Sequence, residues 1–290
     1  MGADRADVER AATRIAPFVR RTPVIRSHAL DRWVGATVFV KAEHLQRGGA
    51  FKYRGATNAV RSRPDGEARR GVAAHSSGNH AAALARAAAT RGIPAHVVMP
   101  RDVSPAKRAA VERYAADITW CEPGPEARRT ALAGVIARTG AVEIHPFDDE
   151  RVIAGAGTAA LELAADVPRL DVVVTPVGGG GLCSGTCIAL GPMRVIGASP
   201  ADRATGVADG LRTGCSARTA AILAAYGVEE VVVDDAATIE AMRAVWERTK
   251  QLIEPSAAVA FAGARAARLH GARVGIVSSG GNVDLDALPW

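Results

Sequence analysis

The segment GGAFKYRGA, residues 48–56, places one lysine directly after a phenylalanine and among small residues. A lysine in such an apolar, glycine-walled setting loses solvation, and this loss lowers the pKa of its amine. The neutral amine is a nucleophile that adds to carbonyl groups. Lys52 is therefore the first candidate for covalent chemistry, with Phe51 as its neighbour.

Four consecutive glycines, Gly178, Gly179, Gly180 and Gly181, follow an apolar run and precede a helical segment that begins at Leu182. In this glycine loop, backbone N–H groups can point into one concavity because no Cβ atoms intervene. The helix start adds partial positive charge, so the loop is suited to a phosphate. Its spacing matches neither a dinucleotide fingerprint nor a nucleotide P-loop, which disfavours both ligands. A tight, flexible turn is the alternative interpretation.

Polar residues also end two other apolar runs. SSGNH contributes Ser76, Ser77, Asn79 and His80, and SSGGNVD contributes Ser279. In open α/β sheets, ligands bind at the carboxyl ends of the strands, so both motifs are candidates for ligand binding. Taken alone, SSGNH could be a helix N-cap and SSGG a plain turn.

These candidates lie where short apolar segments alternate with alanine-rich helical ones. Near-continuous apolar strands separated by helices predict parallel sheets covered on both faces, which is the α/β class. The predicted strands are 38–45, 71–77, 95–100, 142–147, 170–177, 194–199, 230–235 and 273–279. Polar segments at 61–70 and 145–152 are the expected crossings between two lobes. A large domain would then contain residues 1–62 and 148–290, and a small domain residues 63–147.

Composition argues against several classes of function. The chain has 290 residues, of which 48% are hydrophobic and 23% charged, and its formal charge is +6. The basic residues are scattered and do not alternate with aromatic ones, so we expect no nucleic-acid partner. The four cysteines form neither CxxC pairs nor a regular disulfide framework, so we expect a reducing, cytoplasmic location. We find no apolar core of a signal peptide and no long apolar run, so we expect no membrane span. Cys183 and Cys187 lie one helical turn apart without a nearby histidine or carboxylate, so we expect no metal site.

An aldehyde for the lysine and a phosphate for the glycine loop occur together in pyridoxal 5′-phosphate (PLP). Seven motifs resemble, in order, those of fold-type II PLP enzymes of the serine/threonine dehydratase and serine racemase family. They are KAEHLQRGGAFKYRGA, SSGNH, VIAGAGT, GGGGL, VADG, EPSAA and SSGGNVDL. The resemblance covers nearly the whole chain. It implies a homodimer with a tryptophan synthase β-like fold, in which two lobes each contain a mostly parallel twisted sheet flanked by helices.

The resemblance also implies cofactor-binding roles. Lys52 would bind the aldehyde covalently and later move the Cα proton of the substrate. Phe51 would pack beside the ring, Asn79 would hydrogen-bond its phenolic oxygen, and Ser279 would face the pyridine nitrogen. The glycine loop and the N–H of Leu182 would hold the phosphate.

By the same resemblance, the substrate carboxylate would bind to Ser76, Ser77, Asn79 and His80, together with the backbone N–H groups of their loop. Ser77 would also lie on the ring face opposite Lys52, where it could act as a second acid or base. Sulfhydrylases and threonine synthases of this fold carry a threonine in place of the histidine. His80 therefore favours the dehydratase and racemase branch.

Ser279 has a consequence for the reaction. A serine hydroxyl cannot keep the pyridine nitrogen protonated as an aspartate does, so the ring is a weaker electron sink. This favours reactions in which a β-substituent leaves promptly. The prediction is a PLP-dependent ammonia-lyase that eliminates water from a small L-β-hydroxy amino acid, such as L-threonine or L-serine, and yields a 2-oxo acid and ammonia.

Three alternatives stay open. Ser77 opposite Lys52 would suit a serine racemase, and a 3-hydroxyaspartate-type dehydratase would use the elimination chemistry. A PLP-binding or partner protein with weak catalysis is the non-enzyme alternative, because Ala82 and Ala156 stand where relatives commonly carry glutamine. Ser199 replaces a glutamate that binds a divalent metal in metal-activated members, which again argues against a metal site.

Overall fold

The computed structural model describes residues 2–76, 78–103 and 105–290, without the side chains of residues 105–107. In this part of the chain, helices flank two separate sheets. The strands are β1 (Val24–Ile25), β2 (Thr37–Lys41), β3 (Val72–His75), β4 (Ala95–Pro100), β5 (Asp117–Cys121), β6 (Val142–Glu143), β7 (Val172–Pro176), β8 (Arg194–Pro200), β9 (Glu229–Val233) and β10 (Arg273–Val277).

Helices form most of the connections between strands. They are α1 (Arg5–Ile15), α2 (His28–Val34), α3 (Lys52–Arg61), α4 (Asp65–Ala68), α5 (Asn79–Arg91), α6 (Pro105–Glu112), α7 (Pro125–Thr139), α8 (Glu150–Asp166), α9 (Gly181–Leu190), α10 (Ala217–Ala225), α11 (Asp235–Thr249) and α12 (Pro255–Ala266). Side-chain caps explain several helix starts, including the capping boxes of Asp4 and Ser216 and the N-cap of α8 at Asp149. None of the described helices is long and apolar enough to cross a bilayer.

The larger sheet has the strand order β1–β2–β10–β7–β8–β9, and the smaller sheet has the order β5–β4–β3–β6. Among the described strands, every pair is parallel except β1 with β2. All five residues of β7 are buried, as expected for a central strand covered on both faces. The predicted α/β class with two mostly parallel sheets is confirmed.

Several strand boundaries differ from the predicted ones. The sequence pattern misses β1 and β5, and it extends β2 and β6 too far. Most residues of β5, an edge strand, are not fully buried, so its apolar content is too low to stand out. After β2 the chain forms a 3-10 turn at Glu43–Leu45. After the two residues of β6, His145 accepts hydrogen bonds from two following backbone N–H groups, which turns the chain.

The two sheets use different parts of the chain. All four strands of the smaller sheet fall between residues 72 and 143, and the strands of the larger sheet come before and after them. This division is compatible with a small domain at residues 63–147. The boundaries at 62 and 148 stay a prediction.

Glycines let three helices approach each other closely. A Cβ atom at Gly155 of α8 would lie 2.7 Å from the carbonyl oxygen of Arg54 in α3. A Cβ atom at Gly157 would lie 2.5 Å from the carbonyl oxygen of Gly185 in α9. Both distances are below normal contact, so these positions accept no larger residue without movement. The helix that begins with Lys52 and the helix that follows the glycine loop are thus held closely against α8.

Candidate active site

The predicted chemical residues meet at the carboxyl ends of strands from both sheets. Ser76 follows β3, the glycine loop follows β7, and Ser279 follows β10. Lys52 is drawn to this edge because the backbone N–H of Phe51 donates to the carbonyl oxygen of Ser279 at 2.9 Å. These candidates thus lie at the edges where open α/β sheets bind ligands, and their roles in binding stay predictions.

Lys52 is a half-buried residue at the first position of α3. Its Nζ donates a hydrogen bond of 2.7 Å to the carbonyl oxygen of Pro146 and lies 5.1 Å from the ring centroid of Phe51. Burial lowers the pKa of Lys52 to about 8, although the negative charge of Glu254 opposes this shift. Near neutral pH an appreciable fraction of this amine is therefore unprotonated and nucleophilic.

The glycine loop has the shape expected of a phosphate cradle. Gly180 is left-handed, with φ +84°, and caps α9, whose first backbone N–H groups have no acceptor inside the helix. A Cβ atom at Gly179 would lie 2.3 Å from the ring of Phe147, so only glycine fits there. The hydroxyl of Thr219 donates to the carbonyl oxygen of Gly179 at 2.9 Å, which holds that peptide in one orientation. Leu182 packs with Phe51 in one apolar cluster.

The SSGNH loop is described except for Ser77, so the catalytic role predicted for Ser77 lies outside the described residues. The hydroxyl of Ser76 accepts from the backbone N–H of Gly78 at 3.4 Å. Asn79 and His80 are the first two residues of α5, where backbone N–H groups lack helical acceptors. These groups are available to a carboxylate.

His80 is 2% exposed, and its Nε2 donates to the carbonyl oxygen of Ile144 at 2.9 Å. Burial, with the nearby positive charge of Lys52, lowers the pKa of His80 to about 3, so the ring is neutral. Since Nε2 carries the proton, Nδ1 presents a lone pair, and it has no partner among the described residues. A lone pair cannot donate to a carboxylate, so the ring of His80 cannot bind the substrate carboxylate in this way. Only the backbone N–H of His80 could make the predicted contact.

Asn79 is fixed on both sides of its amide. Its Nδ2 donates to both carboxylate oxygens of Glu254, at 2.9 and 3.1 Å, and its Oδ1 accepts from Asn282 at 2.8 Å. Glu254 is a residue of this site that the sequence patterns did not identify as functional. The sequence feature that could have identified it is the EPSAA motif, in which a carboxylate directly precedes Pro255, the first residue of the apolar helix α12.

A basic group on the small-sheet side was also missed. The rings of His75 and His145 lie 6.2 Å apart, and burial is the main cause of the lowered pKa of each. Lys52 further lowers the pKa of His145, and Arg128 and Arg129 further lower the pKa of His75, whereas nearby carboxylates oppose both shifts. Arg128 forms no ion pair with a described residue, and its buried Nε has no partner there. In the sequence, Pro125 indicates the start of α7, the helix that contains Arg128, but no local pattern identifies Arg128 as functional.

A buried ionic cluster holds Arg54, a residue of α3, in place. The fully buried guanidinium of Arg54 pairs with Glu43 and Glu162, each at 2.7 Å, and Lys41 pairs with Glu162 at 2.6 Å. The two positive and two negative charges balance, which offsets the cost of burying them. Because Arg54 lies two residues after Lys52, this cluster fixes the start of the helix that carries the reactive amine.

Known proteins resemble this chain over nearly its whole length. The family described as pyridoxal-phosphate dependent enzyme matches residues 15–280. The chain belongs to this family. Its cofactor is PLP, as the lysine and the glycine loop predict.

Relatives that match nearly the whole chain show to which part of this enzyme family it is most similar. The β-hydroxyaspartate dehydratase of Paracoccus denitrificans is 44% identical over 307 residues, which is 98% of this chain and 98% of that protein. Maize serine racemase superposes with a TM-score of 0.95 at 39% identity, covering 99% of this chain and 95% of its own. The T.th. threonine deaminase superposes with a TM-score of 0.91 at 36% identity, covering 97% and 99%. The chain is thus a fold-type II PLP enzyme of the serine/threonine dehydratase and serine racemase family.

The residues present fit this cofactor. A half-buried lysine with a lowered pKa suits an aldehyde, and the unfilled N–H groups at the start of α9 suit a phosphate. Ser279 is 4% exposed beside Phe51, where a flat ring would need apolar and weakly polar neighbours. The contacts predicted for Phe51, Asn79, Ser279 and Leu182 with PLP stay predictions.

Proposed function

We propose that the protein is a PLP-dependent ammonia-lyase that eliminates water from a small L-β-hydroxy amino acid and releases a 2-oxo acid and ammonia. The observation that carries this proposal is the amine of Lys52, whose pKa near 8 lets it both accept and return a proton close to neutral pH. Ser279, following β10, would face the pyridine nitrogen with a hydroxyl in place of a carboxylate. This favours prompt departure of a β-substituent.

Bound PLP withdraws electrons from the Cα of the amino acid and makes its Cα–H bond acidic. Nζ of Lys52 accepts that proton, and the electron pair of the Cα–H bond forms the Cα–Cβ double bond. The protonated Nζ of Lys52 then returns that proton to the β-hydroxyl, which leaves as water and restores the neutral amine. The released enamine tautomerises to an imine, and one water hydrolyses this imine to the 2-oxo acid and ammonia. Water therefore balances overall.

Other residues of the chain hold this amine in place. The carbonyl oxygen of Pro146 accepts from Nζ of Lys52, which directs the amine toward the turn at His145. The first N–H groups of α5, which lack helical acceptors, would bind the α-carboxylate of the substrate. Asn79, held by Glu254 and Asn282, presents a fixed amide at the same edge.

Arg128 favours a substrate with a second carboxylate. Its guanidinium lacks a carboxylate partner among the described residues, and its charge acts on His75 at the end of β3. An arginine with a buried, unsatisfied donor is stabilised by a carboxylate that reaches it. The 44% identical relative is named for β-hydroxyaspartate, which carries such a group. We therefore rank 3-hydroxyaspartate ahead of L-threonine and L-serine.

The test is a substrate panel on the purified, cofactor-loaded protein. The values of kcat/KM for 2-oxo acid release are measured with all stereoisomers of 3-hydroxyaspartate, with L-threonine and with L-serine. We expect release from at least one β-hydroxy amino acid and the highest kcat/KM with 3-hydroxyaspartate. Absence of oxo acid from every member would reject the proposal, and a preference for threonine or serine would reject only the ranking.

Serine racemisation is the second candidate, because maize serine racemase shares almost the whole fold. Racemisation needs a proton donor on the face opposite Lys52. Chiral analysis of serine recovered after partial turnover separates the two activities. D-serine formed faster than pyruvate would favour the racemase.

Assembly and location are further proposals. We propose a homodimer, by analogy with similar enzymes, and a cytoplasmic location, from the cysteine usage of the sequence. Light scattering coupled to gel filtration tests the first, and cell fractionation tests the second.

A further inference from the structure

Three oxygen atoms converge on the guanidinium of Arg203. Its Nη1 donates to the carbonyl oxygens of Val177 and Leu211, at 3.1 and 2.8 Å, and its Nη2 donates to the hydroxyl of Ser199 at 3.0 Å. These acceptors come from three separate segments of the chain. A positive charge that holds three oxygens together does what a bound cation does in other sites.

The location of this charge connects it to the cofactor. Val177 directly precedes the glycine loop. A Cβ atom at Gly178 would lie 3.0 Å from the Cα atom of Leu211, so the 209–211 turn packs directly on the loop. Arg203 therefore joins the strand end that leads into the phosphate cradle to the turn that backs it.

The same place does not suit a divalent metal. Ser199, where the family resemblance implies a metal-binding glutamate, is 2% exposed and supplies only a hydroxyl, which already contacts Arg203. The nearby carboxylate of Asp202 accepts from two backbone N–H groups and from the hydroxyl of Thr205, and these bonds lower its pKa to about 2. In the described ranges, no three histidine, cysteine or acidic side chains form a group able to hold a metal.

We propose that the guanidinium of Arg203 is the resident cation of this enzyme and shapes the glycine loop for the PLP phosphate without a divalent metal. Arginine keeps its charge throughout the physiological pH range, and, unlike a bound metal ion, it cannot leave the protein. Cofactor affinity and turnover are therefore insensitive to chelators. Arg203 acts through the loop, as a positioning residue.

The first test needs no variant. The dissociation constant of PLP from the cofactor-free protein is measured by absorbance titration in EDTA, in Mg²⁺ and in Ca²⁺. The proposal expects one value, within about twofold, in all three. A cation-induced tightening of about tenfold or more would overturn it.

The second test replaces the charge. Arg203→Met should weaken PLP binding at least about fivefold, because charge-assisted hydrogen bonds are lost. Arg203→Lys, which keeps the charge but not the fork of donors, should recover part of that loss. Arg212→Met, a change at an exposed arginine of the same loop, is the matched control and should bind PLP as the unaltered protein does. Unchanged affinity in Arg203→Met would overturn the proposal.

The third test asks for a gain of metal response. The double variant Ser199→Glu, Arg203→Ala removes the guanidinium and adds a carboxylate beside the same carbonyl oxygens. Its PLP affinity should be low in EDTA and rise in Mg²⁺ or Ca²⁺. A double variant with full affinity in EDTA would show that no cation is needed at this position, which contradicts the proposal. Thermal unfolding of each cofactor-free variant separates this effect from loss of fold.

Discussion

The side-chain amide of Asn79 donates to both carboxylate oxygens of Glu254, at 2.9 and 3.1 Å, across 175 residues of sequence. Glu254 also acts on Lys52, where its charge raises the pKa against the effect of burial. One carboxylate thus orients the amide predicted to contact the cofactor and sets the proton affinity of the reactive amine. The same residue links the large sheet, through α12, to the start of α5.

Glu254→Gln should lower the pKa of Lys52, because the neutral amide no longer stabilises the ammonium. In the cofactor-free protein, trinitrobenzenesulfonate should label Lys52 about two- to threefold faster at pH 7, as read by mass spectrometry. The exposed Lys250 serves as an internal reference. Glu254→Asp, which retains the charge, and Glu67→Gln, at an exposed ion pair, should label normally. Equal labelling rates in all variants would show that Glu254 does not raise the pKa of Lys52.

The lowered pKa of Lys52 predicts the pH dependence of cofactor attachment. Only the neutral amine adds to an aldehyde, so the rate of PLP attachment to the cofactor-free protein should rise with pH with a midpoint near 8, where an exposed lysine would titrate near 10.5. The absorbance of the attached cofactor reports this rate. A midpoint above about pH 9.5 would contradict the assigned environment.

The same pKa has a consequence for stability. Between about pH 8 and 10.5 the unfolded chain still binds a proton at Lys52 that the folded chain has lost. The free energy of unfolding of the cofactor-free protein should therefore gain a positive slope from Lys52 as pH rises through this range. Comparison of denaturant unfolding with that of Lys52→Met, across these pH values, isolates the contribution. An equal slope in both proteins would show that Lys52 does not contribute to the pH dependence of stability.

Gly179→Ala should weaken PLP binding at least about tenfold. The added methyl group would lie 2.3 Å from the ring of Phe147, so the loop or the ring must move. Phe147→Ala in the same chain should restore part of the affinity by making room. Gly214→Ala, where a Cβ atom would meet nothing within 4 Å, is the control. Absorbance titration measures all four proteins, and failure of Phe147→Ala to restore affinity would show that the steric account is incomplete.

Arg128→Gln should raise the KM for 3-hydroxyaspartate by about ten- to a hundredfold, because a hydrogen bond to a charged group is lost. The KM for L-threonine and L-serine should change by less than about threefold, since they lack a second carboxylate. Arg129→Gln, at the neighbouring arginine that pairs with Glu126, is the matched control. Equal changes for all substrates would place Arg128 outside substrate selection.

The sequence predicts the parts of the site that depend on local composition. Lys52 and the glycine loop stand out because lost solvation and missing Cβ atoms are properties of a few adjacent residues. The pairing of Asn79 with Glu254 and the convergence on Arg203 depend on how distant segments pack, and no local pattern encodes that. The same limit applies to the fold: buried central strands such as β7 are evident, and the partly exposed edge strand β5 is not.

The most direct measurement compares the unaltered protein with Lys52→Ala in one assay. Each is loaded with PLP, mixed with 3-hydroxyaspartate, L-threonine or L-serine, and followed for 2-oxo acid and ammonia. We expect equal amounts of both products from the unaltered protein with at least one substrate, and no product from Lys52→Ala. Oxo acid formed by Lys52→Ala at a comparable rate, or none formed by the unaltered protein from any of the three, would contradict it.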